Sequence, residues 1–500
     1  MDLLLVSPRI AVQKGDYLGS GIPYWPIELA VLAGFAREHG CGVTVWDSLG
    51  SDPEVFESIG DHFLQGRGAG RWLARQGVPS ADAVIIYAMS SMSHQDVLRS
   101  IVALRAAGYA KTVAVLENSQ AVTAYALPYV RNEFFAAGAD LLICGEAYWN
   151  WPELLEALRA PGTSSAVNCL AKPDDPAKEP RRLIQIKDPA YPIPAWDLFA
   201  LSGYWKLPYS HGPKTRTFLP ILTSRGCPYP CDFCVVPETN DRKWRGRSPE
   251  AVVSEMVELH RRTGVVDFQV EDLNPTVNTR RWRRIAELLV EARLGLRYYI
   301  VSGTKAETLS LDDIPLYAAS GCRYLSISPE SGSETVMKAI GKPFDYEQGR
   351  RVVELCHRHG IRTQACFIVG HPSETEDDHL KSRAYLRELL ALGLDETAIF
   401  IVAPLAGSRL QQESRVAFSD NQAMVSFSPK GRADWPTLSR RRRELIKDYF
   451  WGKVRQGTSL PGQLWRSVTG RPQTKVENLF RRVLFVVYHT LRAGRGTNHA

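Results

Sequence analysis

The 500-residue sequence lacks any hydrophobic run long enough to cross a membrane, and its first residues lack the basic stretch of a signal peptide. We therefore expect a cytoplasmic protein. Cysteine is scarce, and six of the nine cysteines stand alone, as expected of small buried side chains in a reduced compartment. The sequence also lacks a basic patch interleaved with aromatics or a known nucleic-acid module, so we expect no nucleic-acid partner.

Acidic residues are scarce near the C-terminus. The chain carries a net charge of +7, but residues 431–500 hold fifteen Lys and Arg against four Asp and Glu. The other 430 residues hold 46 basic and 50 acidic side chains, so the excess positive charge belongs to the C-terminal segment alone.

Residues 1–160 alternate short apolar runs with amphipathic stretches. The predicted strands are Leu3–Val6, Val43–Trp46, Ala83–Tyr87, Val113–Leu116 and Asp140–Cys144. The predicted helices are Pro26–His39, Pro53–Gln65, His94–Ala107, Thr123–Ala137 and Trp151–Leu158. Five β/α alternations predict an α/β domain with a parallel, doubly wound sheet of flavodoxin-like type. Residues 161–215 have many prolines and no clean period, which predicts a linker.

Residues 216–410 repeat the β/α pattern. The predicted strands are Leu219–Thr223, Val266–Val270, Tyr298–Val301, Tyr324–Ile327, Ala365–Val369 and Ala398–Val402, and the clearest helices are Pro249–Arg262 and Arg280–Ala292. Six β/α units predict a partial (β/α)₆ barrel whose active site lies at the carboxyl ends of its strands. Residues 411–500 are predicted to be mostly helical after a loop that extends to about Trp435.

Three cysteines follow the first predicted barrel strand. Cys227, Cys231 and Cys234 form a C-x₃-C-x₂-C pattern. Three thiolates at this spacing can ligate three irons of a [4Fe–4S] cluster and leave the fourth iron open to a small molecule. A structural zinc site needs a fourth ligand at short spacing, and no nearby Cys or His provides one. A disulfide would leave one cysteine over. The pattern therefore predicts an iron–sulfur centre.

This triplet, with Phe233 just before its last cysteine, resembles the signature of the radical S-adenosylmethionine (radical SAM) enzymes. The resemblance implies that the open iron binds SAM. The segments Ser326–Ser333, Phe367–Thr375 and Pro404–Leu410 resemble later motifs of that family. The contacts to SAM implied by these motifs involve Phe233, Glu271, Ser328, Glu330, Ser331, Gly370 and Pro372.

Two of these motifs also have plainer interpretations. Ser326–Ser333 is typical of any strand that ends in a Gly/Ser turn, and Glu271-Asp272 is typical of a solvated acidic turn. The turn after the fifth strand departs from the family pattern, because His371 and Ser373 replace commoner residues.

The N-terminal domain resembles the cobalamin-binding (B12-binding) domain of one radical SAM subgroup. The residues that this resemblance implies at cobalamin are Ser90, Ser91, Ser93, Gly145 and Glu146. The first strand is not followed by a D-x-H-x-x-G loop, so no histidine is offered to cobalt. Glu117 and Asn118 stand where the subgroup commonly has glycines, which leave room beside a ligand. The alternative is a domain of this fold that is kept for packing or for closing the substrate site.

The resemblance implies an enzyme that uses a [4Fe–4S] cluster, SAM and cobalamin to methylate an unactivated carbon or phosphorus centre of a small-molecule or lipid-like substrate. It also implies an external one-electron reductant of flavodoxin or ferredoxin type. The alternatives are a radical SAM catalyst of rearrangement or cyclisation in which cobalamin is absent or transfers no methyl group, and a non-catalytic iron–sulfur or cobalamin-binding regulator. The sequence singles out no catalytic acid, base or nucleophile.

The basic C-terminal segment allows two interpretations. Between Lys475 and Arg492, apolar and cationic residues alternate along a predicted helix. Such a helix can pack on the barrel with solvated arginines, or it can lie on an anionic membrane surface. The second interpretation predicts peripheral membrane contact.

Overall fold

The computed structural model describes residues 1–14, 20–163, 168–175, 191–413, 434–456 and 459–496. Most of the predicted loop between residue 411 and Trp435 lies outside these residues. The first nine strands are β1 (Asp2–Ser7), β2 (Ile10–Gln13), β3 (Gly42–Asp47), β4 (Phe56–Ile59), β5 (His62–Gln65), β6 (Ala83–Ala88), β7 (Thr112–Glu117), β8 (Leu141–Ile143) and β9 (Cys169–Leu170). The first six helices are α1 (Ile27–Glu38), α2 (Ser48–Ser51), α3 (Ala69–Gln76), α4 (His94–Ala106), α5 (Arg131–Ala137) and α6 (Trp151–Arg159).

The N-terminal sheet has the order β3-β1-β6-β7-β8-β9. All of its pairings are parallel except that of β8 with β9. Counted along the chain, the five predicted strands lie in the order 2-1-3-4-5, which is the flavodoxin-like arrangement. The predicted fold class of this half is therefore confirmed.

The helix predicted over Pro53–Gln65 is wrong. This segment forms the antiparallel hairpin β4–β5, in which Ile59 faces His62 across a two-residue turn. Gly60 has a φ of 53°, in the left-handed region that such turns require. The Gly-Asp pair is itself a hairpin signal, but the spacing of the apolar residues around it also fits a helix.

The helix predicted over Thr123–Ala137 is shorter than expected. Only α5, from Arg131, is α-helical, after a single 3₁₀ turn at Leu127–Tyr129. Pro128 stands inside that 3₁₀ turn and has no backbone N–H to donate. The Glu117 carboxylate accepts the Leu127 N–H at 2.8 Å. The backbone before α5 therefore bonds to a side chain instead of a helical carbonyl.

The second half begins with α7 (Leu201–Lys206) and carries the remaining strands, β10 (Leu219–Ile221), β11 (Ser224–Arg225), β12 (Arg245–Gly246), β13 (Asp267–Val270), β14 (Arg297–Thr304), β15 (Cys322–Glu330), β16 (Arg362–Val369) and β17 (Glu396–Ile401). Its helices up to the barrel end are α8 (Val236–Asn240), α9 (Pro249–Thr263), α10 (Thr279–Ala292), α11 (Ile314–Ala319), α12 (Glu334–Ile340), α13 (Tyr346–Arg358), α14 (Glu376–Ala391) and α15 (Arg409–Glu413).

Six of these strands form a parallel sheet in the order β10-β13-β14-β15-β16-β17. The prediction of a six-stranded partial barrel is confirmed. Helix α9 shows how the sequence sets its bounds: the Ser248 hydroxyl accepts the Ala251 N–H at 3.2 Å, and Gly264 ends the helix with a φ of 72°.

The end of the predicted linker is part of the core that joins the two sheets. Trp25, from the N-terminal half, stacks on Tyr204 at 4.3 Å between ring centroids. It also meets Trp196 and Phe218 edge-on, at 5.5 Å and 5.1 Å. All four side chains are buried, so residues 191–218 fix the two halves against each other.

The C-terminal segment contains α16 (Trp435–Arg455), α17 (Ser459–Thr469) and α18 (Leu479–Gly496), as predicted. Helix α16 packs on α14 and β17, and α18 packs on β4 of the N-terminal half. Val486 is buried against Val12 and Phe56. In the described part of the chain, no helix is both long and apolar enough to span a membrane.

Candidate active site

The three cysteines lie in the loop between β11 and α8, at the carboxyl end of the barrel sheet. All three are half-buried and carry free thiols. The Cys234 N–H donates to the Cys231 carbonyl at 3.2 Å, which closes a tight turn. The intervening Asp232 donates its N–H to Ile340 O at 2.9 Å and accepts the Leu410 N–H at 2.8 Å. The loop is therefore held by segments that follow the fourth and sixth barrel strands.

A histidine from the turn after β16 also holds this loop. His371 Nε2 lies 2.8 Å from Asp232 Oδ2, and its Nδ1 lies 2.7 Å from Ser373 Oγ. His371 and Asp232 are both buried. His371 and Ser373 are the two residues by which this turn departs from the family pattern. Together they form one chain of contacts to the cysteine loop.

The surroundings of the cysteines suit an iron cluster. Burial raises the pKa of Cys231 to about 12 and raises the pKa values of Cys227 and Cys234, while Lys342 lowers all three. Iron would stabilise the thiolates against that burial. Across the described ranges, no three Cys, His, Asp or Glu side chains are placed to hold one metal ion. In a [4Fe–4S] cluster each thiolate ligates a different iron, so the three sulfurs need not converge on one atom.

A buried lysine joins the cysteine loop to the carboxyl end of β15. Lys342 Nζ donates to Ser328 Oγ and Glu330 Oε1, both at 2.6 Å, and to the Ser328 carbonyl at 2.9 Å. Burial opposes the charge, but Glu330 and Cys231 outweigh it, so the pKa of Lys342 is raised. Glu330 has a φ of 56°, a strained conformation for a residue other than glycine. No sequence motif marks Lys342, which lies twelve positions after Glu330.

Three of the residues expected at SAM act in turns. Ser331 Oγ lies 3.0 Å from Ser382 Oγ, and the Gly370 N–H donates to Glu374 Oε2 at 2.8 Å. Gly370 has a φ of 86°, which explains glycine there. Pro372 is exposed. These three residues are outside the lining of the cavity described below.

Glu271 directly follows β13 and has one carboxylate oxygen bound and one available. Its Oε2 lies 2.6 Å from His211 Nδ1, whereas its buried Oε1 has no hydrogen-bond partner among the residues that the structure describes. The neighbouring Asp272 accepts from the backbone and side chain of Thr223, at 2.7 Å and 2.6 Å. Glu271 can therefore accept a ligand's donor, while Asp272 holds the end of β10.

The residues expected at cobalamin lie along the carboxyl edge of the N-terminal sheet. Ser93 Oγ donates to the Ser90 carbonyl at 2.8 Å, and the Ser91 N–H donates to Thr123 O at 2.9 Å. The Gly145 N–H donates to Glu117 Oε2 at 2.6 Å. Of the five expected residues, Ser91 alone is in the cavity lining.

Glu146 belongs to a buried charge cluster that connects the two halves. Its Oε1 accepts from Arg245 Nη2 at 2.9 Å, from Gln120 Nε2 at 3.1 Å and from Arg225 Nη1 at 3.3 Å. Arg225 Nη1 also pairs with Glu28 at 2.9 Å. Burial disfavours the charged form of Glu146, but Arg225 and Arg245 have the larger combined effect, so the pKa of Glu146 is lowered. Arg225 precedes Cys227 by two positions, so this cluster anchors the start of the cysteine loop.

A cavity of about 420 Å³ lies between the two sheets. Both parallel sheets direct their carboxyl ends toward it, where α/β proteins bind ligands. The predicted residues in its lining are Ser91, Phe233, Glu271, Ser328 and Glu330. The sequence missed the wall made by β16, β17 and the C-terminal segment, which includes Gln364, Glu396, Arg442, Lys475, Asn478 and Arg482.

The sequence profile of the radical SAM superfamily matches residues 221–386, from the end of β10 into α14. These residues form a radical SAM domain. The predicted resemblance is confirmed, and the superfamily's two shared cofactors, a [4Fe–4S] cluster and SAM, follow from it. The three cysteines lie within the matched residues.

Relatives and solved structures extend the likeness beyond this domain. An uncharacterized methyltransferase of Pyrococcus horikoshii is 26% identical over 356 residues, which cover 71% of this chain and 72% of that protein. The cytidylyl-2-hydroxyethylphosphonate methyltransferase of Streptomyces wedmorensis is 27% identical, but the match covers only 44% of this chain and 42% of that enzyme. The structure of the radical S-adenosylmethionine methyltransferase TsrM from Kitasatospora setae, with cobalamin and a [4Fe–4S] cluster bound, superposes with a TM-score of 0.59. That alignment has 17% identity and covers 82% of this chain and 73% of TsrM, which supports the fold of both halves.

Proposed function

We propose that this enzyme uses cobalamin together with the cluster and SAM to methylate an unactivated carbon or phosphorus centre of a small-molecule or lipid-like substrate. The observation that carries the proposal is the shared cavity. It brings the carboxyl edge of a flavodoxin-like sheet against the cysteine end of a radical SAM barrel. Relatives named as methyltransferases support the reaction type.

In this proposal Cys227, Cys231 and Cys234 hold three irons. When bound, the cluster and SAM supply a carbon radical that removes a substrate hydrogen atom, and cobalamin supplies the methyl group. The chain's own part is to orient these groups and to exclude water from the cavity. The contacts of Asp232 with His371, Ile340 and Leu410 keep the cysteine loop in one position.

Four residues are proposed to contact SAM through side chains that border the cavity. They are Phe233, Glu271, Ser328 and Glu330. Glu271 has an unpartnered oxygen, which suits an ammonium donor such as the amino group of SAM. Ser331, Gly370 and Pro372 are proposed to contribute through the shape of their turns.

Cobalamin is proposed to lie against the N-terminal sheet with no histidine on cobalt. Ser91 would contact it directly, while Ser90, Ser93 and Gly145 shape the turns at the sheet edge. Glu146 would act at a distance, because its oxygens are already occupied by arginines. The Glu117 carboxylate is turned to the backbone of Leu127 and Gly145 and is outside the cavity lining, so it puts no charge against the ligand.

Our proposal divides the chain into a cobalamin domain (1–160), a connecting segment (161–215), a radical SAM barrel (216–410) and a C-terminal helical segment (411–500). It includes an external one-electron reductant and contact with a membrane surface. The membrane part is supported by exposed aromatic side chains on the C-terminal helices, of which Trp465 is 70% exposed and Trp451 64% exposed. Such residues favour the interface of a bilayer.

Anaerobic purification and reconstitution test the proposal. We expect about four irons and one cobalt per chain, an optical spectrum of bound cobalamin, and SAM cleavage to 5′-deoxyadenosine under reduction. Product analysis by mass spectrometry with methyl-labelled SAM then separates methylation from rearrangement or cyclisation. A chain that binds cobalamin but never cleaves SAM would instead support a regulator.

A further inference from the structure

The C-terminal segment forms a polar stripe on the wall of the cavity. Lys475 begins the 3₁₀ turn Val476–Asn478, Asn478 ends it, and Arg482 lies about one turn further on α18. Side chains three positions apart on a 3₁₀ turn lie above one another. All three residues line the cavity, so one face of this segment presents them together.

Lys475 is half-buried, and among the described residues it has no direct acidic partner. Its Nζ donates to the Val301 carbonyl at 3.1 Å and to Gln364 Oε1 at 3.2 Å, which are neutral oxygens. Glu396 lies near Lys475 but makes no ion pair with it. The Glu396 oxygens accept from other donors: Gln364 Nε2 at 3.1 Å, the Val476 N–H at 2.8 Å and the Tyr324 hydroxyl. Burial lowers the pKa of Lys475 although Glu396 lies nearby, so an anion supplied by a ligand and bonded to Nζ would stabilise the ammonium form.

Asn478 gives an independent sign of a ligand. The residue is 2% exposed, and within the described part of the chain neither its Nδ2 nor its Oδ1 has a hydrogen-bond partner. A buried amide with both ends unbound is rare, because each end loses its hydration without replacement. Arg482 completes the stripe: it donates to the Ser20 carbonyl and lies 4.8 Å from the ring centroid of Tyr209.

Most of the remaining cavity surface is apolar. It includes Ile399, Phe400 and Val402 on and after β17, with Ile446 and Tyr449 on α16. Of the acidic residues in the lining, Glu330 is paired with Lys342, and Glu271 has one oxygen on His211 and its other oxygen assigned above to SAM. The cavity thus has one cationic, amide-bearing wall and a mainly hydrocarbon surface around it.

From these observations we propose that Lys475 and Asn478 bind a carboxylate or phosphate group of the substrate, whose largely apolar body fills the cavity toward the cysteine loop. This inference deepens the proposed function, because it assigns the substrate class and the residues that select it. Lys475 donates to the anion as a cation, Asn478 Nδ2 adds a second donor, and the apolar body packs on β17 and α16.

Binding of three probes of equal chain length tests the proposal on the anaerobically reconstituted full-length protein: octanoate, octyl phosphate and 1-octanol, measured by isothermal titration calorimetry. We expect at least one anionic probe to bind about tenfold more tightly than octanol, as a charge-assisted hydrogen bond implies. Comparison of the two anions distinguishes a carboxylate from a phosphate. Lys475→Met should remove the preference, Lys475→Arg should retain part of it, and Asn478→Leu should weaken the anion alone.

Lys447→Met on the exposed side of α16 is the matched control and should bind like wild type. Equal affinities for octanol and both anions would overturn the inference, as would an unchanged preference in a folded Lys475→Met protein. Iron content and circular dichroism establish that each variant is folded. SAM cleavage and cobalt content are measured on the wild type separately, so failure of the proposed function is distinguished from failure of this binding site.

Discussion

Removal of the Glu146 carboxylate should destabilise the protein, because it leaves charge unpaired between the two halves. Arg245 Nη2 and Nη1 approach Glu146 at 2.9 Å and 2.5 Å, and Arg225 approaches it at 3.3 Å. Breaking a buried ion pair by removing one partner costs about 3–5 kcal/mol. Arg225 keeps Glu28, whereas Arg245 loses its acidic partner in the cluster, so we expect Glu146→Ala to lower the free energy of unfolding by about 3 kcal/mol.

The chain offers a matched control for burial. Glu258 also contacts two arginines, Arg261 at 2.7 Å and Arg262 at 2.6 Å, but on the exposed surface of α9. Exposed pairs contribute little, so Glu258→Ala should leave the urea midpoint unchanged. Urea unfolding followed by tryptophan fluorescence compares the two variants, and Glu146→Gln separates loss of charge from loss of shape. Equal midpoints for Glu146→Ala and Glu258→Ala would refute the reasoning from burial.

The remaining predictions concern the cluster, pH and the membrane. Cys231→Ala should abolish the reconstituted cluster and SAM cleavage, while Cys41→Ala, away from the cysteine loop, should retain about four irons by iron analysis; an active cluster in the first variant would contradict the ligand assignment. Burial raises the pKa of Asp47 to about 6, above its unfolded value, so wild type should lose stability from pH 4 to 6. Asp47→Asn should lack this loss. Between pH 4 and pH 6, the change in the free energy of unfolding should differ between wild type and variant by on the order of 3 kcal/mol, as measured by thermal unfolding. Parallel pH profiles of the two proteins would contradict this prediction. The double variant Trp451→Ser, Trp465→Ser should co-sediment less with anionic liposomes at low salt and should keep its iron. Unchanged partitioning would exclude these two side chains from membrane contact.

The sequence was most informative where a function needs several residues close together in the chain. Cys227, Cys231 and Cys234 fall within eight positions, and the six barrel strands each have a continuous apolar run, so both could be predicted. The spacing of apolar residues also led to the wrong prediction of a helix over Pro53–Gln65. A helix and a hairpin with a two-residue turn can place similar residues on one face.

The parts of the site that the sequence could not predict are assembled by tertiary contacts. Lys475 reaches Gln364 across 111 positions, and His371 reaches Asp232 across 139. Neither pair has a local spacing that marks it, and a lysine within a basic segment predicts solvent exposure before it predicts a cavity. Asn478 likewise has an ordinary sequence context, and only its burial reveals the two unbound ends of its amide.

The packing of α18 on the N-terminal hairpin has a consequence for biosynthesis. Arg482 and Ser20, which touch in the folded enzyme, are 462 positions apart in the chain. During synthesis the N-terminal sheet and the barrel emerge from the ribosome well before this helix, and contacts of such long range form late. Until residues 475–482 are made, the cavity therefore lacks the part of its wall that Lys475, Asn478 and Arg482 supply, which gives bulky cofactors a wider route of access. Ribosome-bound chains that end before residue 475 should take up the cluster and cobalamin faster than the completed protein, and slower uptake would contradict this order of events.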